Sequence, residues 1–250
     1  MRPTSGQARI FGVPSSDSDA RRLVGYLPEN FRFQDWLTGV ELLTLHADLA
    51  DLTPAERRQR IPEALRLVGL GDRGGDRLRT YSKGMLQRIG LAQAVIHNPR
   101  LVLLDEPTSA LDPIGRRDVR DMIRALSARG MTVFLNSHLL SEVEMVCDRV
   151  AIIDRGRVVQ SGRLDDLIRG APELSITLDR VDGELLAILG RFGQVLAHDA
   201  ETIRLGVTDL SVASVIADVL PRSGYRVFSL TPVQHSLEEL FMSLVQGGEL

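Results

Sequence analysis

Between Arg21 and about Gly162, short apolar runs alternate with stretches in which apolar residues recur at helical spacing. That alternation predicts an α/β fold. The run LVGYL (23–27) reads as a strand. Thr38-Gly-Val-Glu41 has the spacing of a capping box and opens a helix running to about Ala50, and Thr53-Pro-Ala-Glu56 opens another. Ser82 stands at the N-cap of a helix whose inward face carries Met85, Ile89, Ala92 and Ile96, and Pro99 punctuates its end. LVLLD (101–105) is apolar without interruption, the pattern of a strand buried on both faces in a parallel sheet. A basic amphipathic helix from Pro113 to Arg129 stops at Gly130, and MTVFLN (131–136) is the next strand. Ser141-Glu-Val-Glu144 is expected to cap a short helix, and 149–162 reads as a hairpin turning at Arg155-Gly156.

Arg169-Gly-Ala-Pro172 marks a boundary, which predicts domains at 1–168 and 172–250. Beyond it the elements follow as strand 173–179, helix 182–191, strands 194–198 and 202–207, helix 209–221 and strand 225–231. This β-α-β-β-α-β order is the split-βαβ arrangement of a small α+β domain. A last helix starts at Ser236, capped by Glu239, with Leu237, Leu240, Phe241 and Leu244 along one side. No chemical constellation is visible in this domain, so a regulatory or dimer-forming role is expected.

Composition changes this picture little. The chain has 250 residues, 44% hydrophobic and 25% charged, with a net charge of −3, which gives no general reason to expect nucleic-acid binding. No apolar run reaches the roughly 18 residues that span a bilayer, and the N-terminus has no secretion-signal pattern. The one cysteine, Cys147, cannot form an internal disulfide and sits in an apolar helical pattern with Val143 and Val146, as a small core residue would. Of the 30 Lys plus Arg residues, Lys83 is the only lysine.

Asp105 and Glu106 close a strand at the end where open α/β sheets bind ligands. Asp105 could hold Mg²⁺, and Glu106 could polarise a water for attack on a phosphate. Ser82 and Gly84 at a helix start offer free backbone N–H groups to an anion, and Lys83 adds positive charge there. His138 follows a strand end and could touch a terminal phosphate, and Glu29, in GYLPEN, could face the metal.

In combination these segments resemble the ATP-binding cassette family. YSKGMLQ matches the signature loop, LVLLDEPTSALD the Walker B strand and D-loop, and NSH the switch histidine; RPTSGQARIFG, VGYLPEN, LTGVELL and SLEELF are similar to the drug-exporter-like branch. The resemblance covers about residues 2–165 strongly and the rest weakly. It implies a P-loop NTPase-like cassette that binds ATP and Mg²⁺ and packs head to tail on a second cassette, at the inner face of the cell membrane against an integral membrane permease. Ser82, Lys83 and Gly84 would touch the ATP held by the partner, Asp105, Glu106 and His138 the ATP held by this chain, and Asp112 would couple the two sites. Glu29 would link the metal to the permease. A cassette acting on nucleic acid would show tandem copies or basic insertions, and neither is present.

A phosphate loop of the form G-x-x-x-x-G-K-[ST] is absent, since the only lysine precedes Gly84. By the resemblance that loop would end shortly before Arg2, so the chain reads as starting just after it. Opening a sheet in mid-domain would leave ladder groups unpaired, which favours an internal Met1 over a real truncation. A real truncation would instead make the chain a non-catalytic subunit completing a partner's ATP site.

Overall fold

The computed structural model describes residues 4–109, 111–168, 172–233 and 236–246. The chain divides into two compact units, Met1–Cys147 and Asp148–Leu250. The boundary expected at 169–172 lies outside the described residues except for Pro172.

The first unit begins with a two-residue ladder of β1 (Arg9–Ile10) and β2 (Val13–Pro14), followed by α1 (Ser18–Arg22) and β3 (Val24–Leu27). Helices α2 (Gly39–Leu49) and α3 (Pro54–Leu67) both open with the reciprocal capping boxes that the sequence predicts, at Thr38/Glu41 and Thr53/Glu56. Then come α4 (Lys83–Val95), β4 (Leu101–Asp105), α5 (Pro113–Ala128), β5 (Thr132–Asn136) and α6 (Leu140–Val146).

Strands β3, β4 and β5 form a parallel sheet with β4 in the centre. Leu27, Leu104 and Leu135 stand in register and join one core cluster with Ile89, Val119 and Ile123 of α4 and α5. The other face differs from the expectation of burial on both sides. There Leu103 is only half-buried and lies in register between Tyr26, 50% exposed, and Phe134, 61% exposed. α4 is the more enclosed element. It packs on β3, α2 and α3, so Gln87, Ile89, Leu91, Ala92, Ala94 and Val95 are buried around most of its circumference.

Two expectations near α6 are corrected. Ser141 lies within the helix, because Ser137 Oγ already accepts the N–H of Leu139 at 3.1 Å and the helix starts from Leu140. Cys147 is the C-cap residue, half-buried instead of core, because the chain leaves the helix there for an extended conformation.

The His97 ring nitrogen Nε2 sits 3.1 Å from the Val24 carbonyl, beside a cavity of ≈ 700 Å³ that His46 and Arg60 also line. Burial holds both histidines below their ordinary pKa of 6.5; at His97 the Val24 bond opposes this and Arg60 adds to it. The unfolded chain therefore takes up protons first as the pH falls. The stability these neutral rings carry is present above about pH 6.5 and lost as pH drops towards their folded values. Thermal melts of the first unit are expected to decline from about pH 7.5 to pH 5.5, and to decline less in a His46→Gln/His97→Gln variant. Glu41 and Glu56, held below 4.5 by their capping bonds, lose their contribution only at lower pH.

The second unit opens with a hairpin of β6 (Arg149–Asp154) and β7 (Arg157–Arg163). Arg155 and Gly156 both take positive φ, 47° and 78°, as a two-residue turn matched to strand twist requires. After α7 (Leu164–Ile168) come β8 (Glu173–Leu178), α8 (Gly183–Leu189), β9 (Gly193–His198), β10 (Thr202–Val207), α9 (Val212–Arg222) and β11 (Val227–Pro232). The β-α-β-β-α-β order is present, with an antiparallel sheet in the order β11-β8-β10-β9. Strict alternation along β8 buries Leu174, Ile176 and Leu178 against α8 and α9 residues such as Leu185 and Ile216. Asp182 caps α8 and accepts the Tyr225 hydroxyl at 2.7 Å, which helps push that hydroxyl up to about 12. A final helix, α10 (Leu237–Gln246), packs on α7.

Candidate functional site

Parallel pairing aligns the carboxyl ends of β4 and β5, so Asp105 stands opposite Asn136. The Asn136 amide Nδ2 donates to Asp105 Oδ1 at 2.7 Å. This fixes one carboxylate oxygen and leaves the other to a hard cation, for which an oxygen donor of this kind is suited. Asn136 was not legible as a site residue in the sequence. Its signals were its place at the end of the strand next to the one carrying the acidic pair and its position in the NSH run, where only the histidine stood out.

Glu106 leaves the strand with φ of 50°, a left-handed conformation that costs a non-glycine residue about 1–2 kcal/mol. Its N–H donates to the Asn136 carbonyl at 2.9 Å, and its carbonyl accepts from Ser109 Oγ at 3.1 Å. These bonds hold the turn and aim the side chain at His138. Oε1 accepts the His138 backbone N–H at 2.9 Å, and Oε2 lies 2.8 Å from His138 Nδ1. Oε2 takes no hydrogen bond of acceptable geometry, so that contact is a proximity of the two groups only. The Glu106 side chain is 12% exposed and that of His138 67%. A shielded carboxylate beside an accessible imidazole can aim a water and receive its proton.

Ser82 caps α4, its Oγ accepting the Met85 N–H at 3.3 Å, and with Lys83 it faces solvent. Gly84 lies near the segment after Glu106, since a Cβ there would stand 3.8 Å from Leu111 Cδ2. Asp112 caps α5 by accepting the Gly115 N–H at 2.8 Å and is exposed. Glu29 follows β3 at the same end of the sheet, exposed, and makes no hydrogen bond or ion pair among the described residues. The structure thus joins Asp105, Glu106 and His138 by direct bonds or through Asn136. Ser82, Lys83, Gly84, Asp112 and Glu29 are not bonded to that group.

A parallel sheet with a fixed acidic pair and a histidine at its carboxyl end has the placement at which open α/β folds bind ligands. Comparison with known proteins makes the class specific. A family model described as ABC transporter matches residues 1–109. An uncharacterized ABC transporter ATP-binding protein of Nostoc sp. is 41% identical over 248 residues, covering 98% of this chain and 73% of that protein. The daunorubicin/doxorubicin resistance ATP-binding protein of Streptomyces peucetius is 34% identical over 254 residues, with 98% and 77% covered. The bacitracin transport ATP-binding protein of Bacillus licheniformis is 32% identical over 258 residues, with 100% and 82% covered. A solved structure of an ATP-binding subunit of an ABC transporter superposes with a TM-score of 0.60 at 33% identity, over 68% of this chain and 71% of that one. The chain belongs to the family of ABC transporter ATP-binding subunits.

Proposed function

We propose that this chain binds and hydrolyses ATP to drive a separate integral membrane permease, in an exporter that works with two cassettes packed head to tail. The observation that carries the reading is the bonded group of Asp105, Asn136, Glu106 and His138 at the carboxyl edge of the sheet. The export direction is supported by relatives named for drug resistance and bacitracin transport. No described helix is long and apolar enough to cross a membrane, and in this reading the pore is another chain, with this one seated at the membrane's inner face.

In this reading Asp105 and Glu29 hold Mg²⁺, which when bound neutralises charge on the phosphates. Glu106 aims the attacking water and takes its proton. His138 holds the water and the terminal phosphate oxygen in line. Ser82, Lys83 and Gly84 present a capped helix start and a cation to the ATP of the facing cassette, and Asp112 reports across the interface. The second unit regulates or supports pairing of the two chains. A second reading has the chain complete a partner cassette's ATP site without turnover of its own, resting on the exposed, capped helix start at Ser82 and Lys83.

The deciding experiment is phosphate release by the chain purified in complex with its permease, with and without a distinct second cassette. Turnover by the chain as sole cassette supports hydrolysis. Turnover only with an intact second cassette, and its loss on Ser82→Arg, supports the completing role. Turnover in neither setting overturns both.

A further inference from the structure

Arg120 on α5 and Glu142 on α6 form an ion pair in which Nη1 donates to Oε1 at 2.9 Å and to Oε2 at 2.8 Å. The side chains are only 18% and 9% exposed, and Arg120 Nε is buried without a partner. A shielded pair with an unmet donor is a poor device for stability alone, because the desolvation of both charges offsets much of their attraction. What it supplies is direction. A second strap runs parallel to it, Arg124 Nη2 donating to the Met145 carbonyl at 3.0 Å.

The placement of the two helices gives that direction a use. α5 opens at Asp112, and α6 starts two residues after His138. The short link between His138 and α6 is held by Ser137 Oγ on the Leu139 N–H, and the His138 N–H is held on Glu106 Oε1. Any slide of α6 along α5 would therefore be transmitted directly to the Glu106–His138 contact.

We infer that Arg120 and Glu142 are positioning residues that clamp the first turn of α6 to α5 and so keep His138 on Glu106. This rests on the proposed reading in which Glu106 and His138 act together on ATP. The test is residue-resolved amide exchange in the full chain, comparing wild type with Glu142→Gln and Arg120→Gln. The His138 amide is expected to exchange about tenfold faster in both variants. The amides of Val143 and Cys147, bonded to the Leu139 and Val143 carbonyls, are expected to keep their protection. Unchanged exchange at His138 in both variants would overturn the clamp. So would loss of protection at Val143 and Cys147 together with His138, because α6 would then simply have melted. The measurement needs no turnover, so a chain that never hydrolyses ATP still tests the clamp while failing the functional reading. Where turnover is present, kcat should fall in both variants with KM for ATP unchanged, and an equal rise in KM would argue against positioning.

Discussion

Glu106→Gln is expected to lower ATP turnover by about a hundredfold to ten-thousandfold while leaving nucleotide affinity within about threefold. The amide keeps the size of the side chain and an oxygen that can accept the His138 N–H, as Oε1 does at 2.9 Å. The left-handed turn at φ 50° and its bonds to Asn136 and Ser109 involve only the Glu106 backbone, so they survive the change. What is lost is the lone pair on Oε2, buried, 2.8 Å from His138 Nδ1 and without a hydrogen bond of its own. An amide cannot take a proton from water there. The measurement is phosphate release alongside binding of a fluorescent ATP analogue, with Mg²⁺, in the complex with the permease. A loss of less than about threefold would remove Glu106 from the role of base. His138→Ala should also reduce turnover, but it leaves Glu106 carrying its proton-accepting oxygen, so its effect should be the smaller of the two.

The features that were legible in the sequence are those whose causes are local. Both capping boxes rest on residues three apart, the hairpin turn on two adjacent residues, and β8 on strict alternation. The acidic pair was legible because a strand end is itself a local signal. Asn136 was not, because its bond to Asp105 depends on the register of two strands separated by the whole of α5. Arg120 and Glu142 are 22 positions apart, and their pairing depends on the packing of α5 on α6, which no local pattern states. Ser141 misled for the opposite reason. A Ser-x-x-Glu pattern is a sound local signal, but the helix had already started from Leu140, with Ser137 Oγ accepting the Leu139 N–H one turn earlier. The Tyr26–Leu103–Phe134 face shows the same limit, since an unbroken apolar strand states how greasy its faces are and not what covers them.

Gly25→Ala tests how closely β3 and α4 pack, and its expected effect on stability is the largest of any glycine-to-alanine change in the first unit. A Cβ at Gly25 would land on the Ala94 carbonyl oxygen, 2.9 Å from the carbonyl carbon and 3.1 Å from Pro99 Cγ. None of these is the free end of a flexible side chain, so relief requires β3 and α4 to separate as bodies. Separation in turn strains the pairing of Val24 to Leu27 with Leu101 to Leu104 and opens the buried contact of Leu27 with α4. Overpacking of a side chain costs about 1–3 kcal/mol, and a clash with backbone on the opposing element should reach about 3 kcal/mol or more, a fall in Tm of roughly 10 °C. Gly75→Ala is the matched control, since a Cβ there meets nothing within 4 Å and its φ is not positive; it should melt as wild type does. Thermal unfolding of the two variants decides the matter, and a Gly25→Ala protein melting within about 2 °C of wild type would mean that β3 and α4 do not approach this closely. The consequence extends to function because β3 leads into Glu29 while α4 begins at Ser82. A glycine with no chemistry of its own thus sets how closely β3 and α4 approach, the two elements that in the proposed reading carry the metal side of the site and the helix start offered to a partner's ATP.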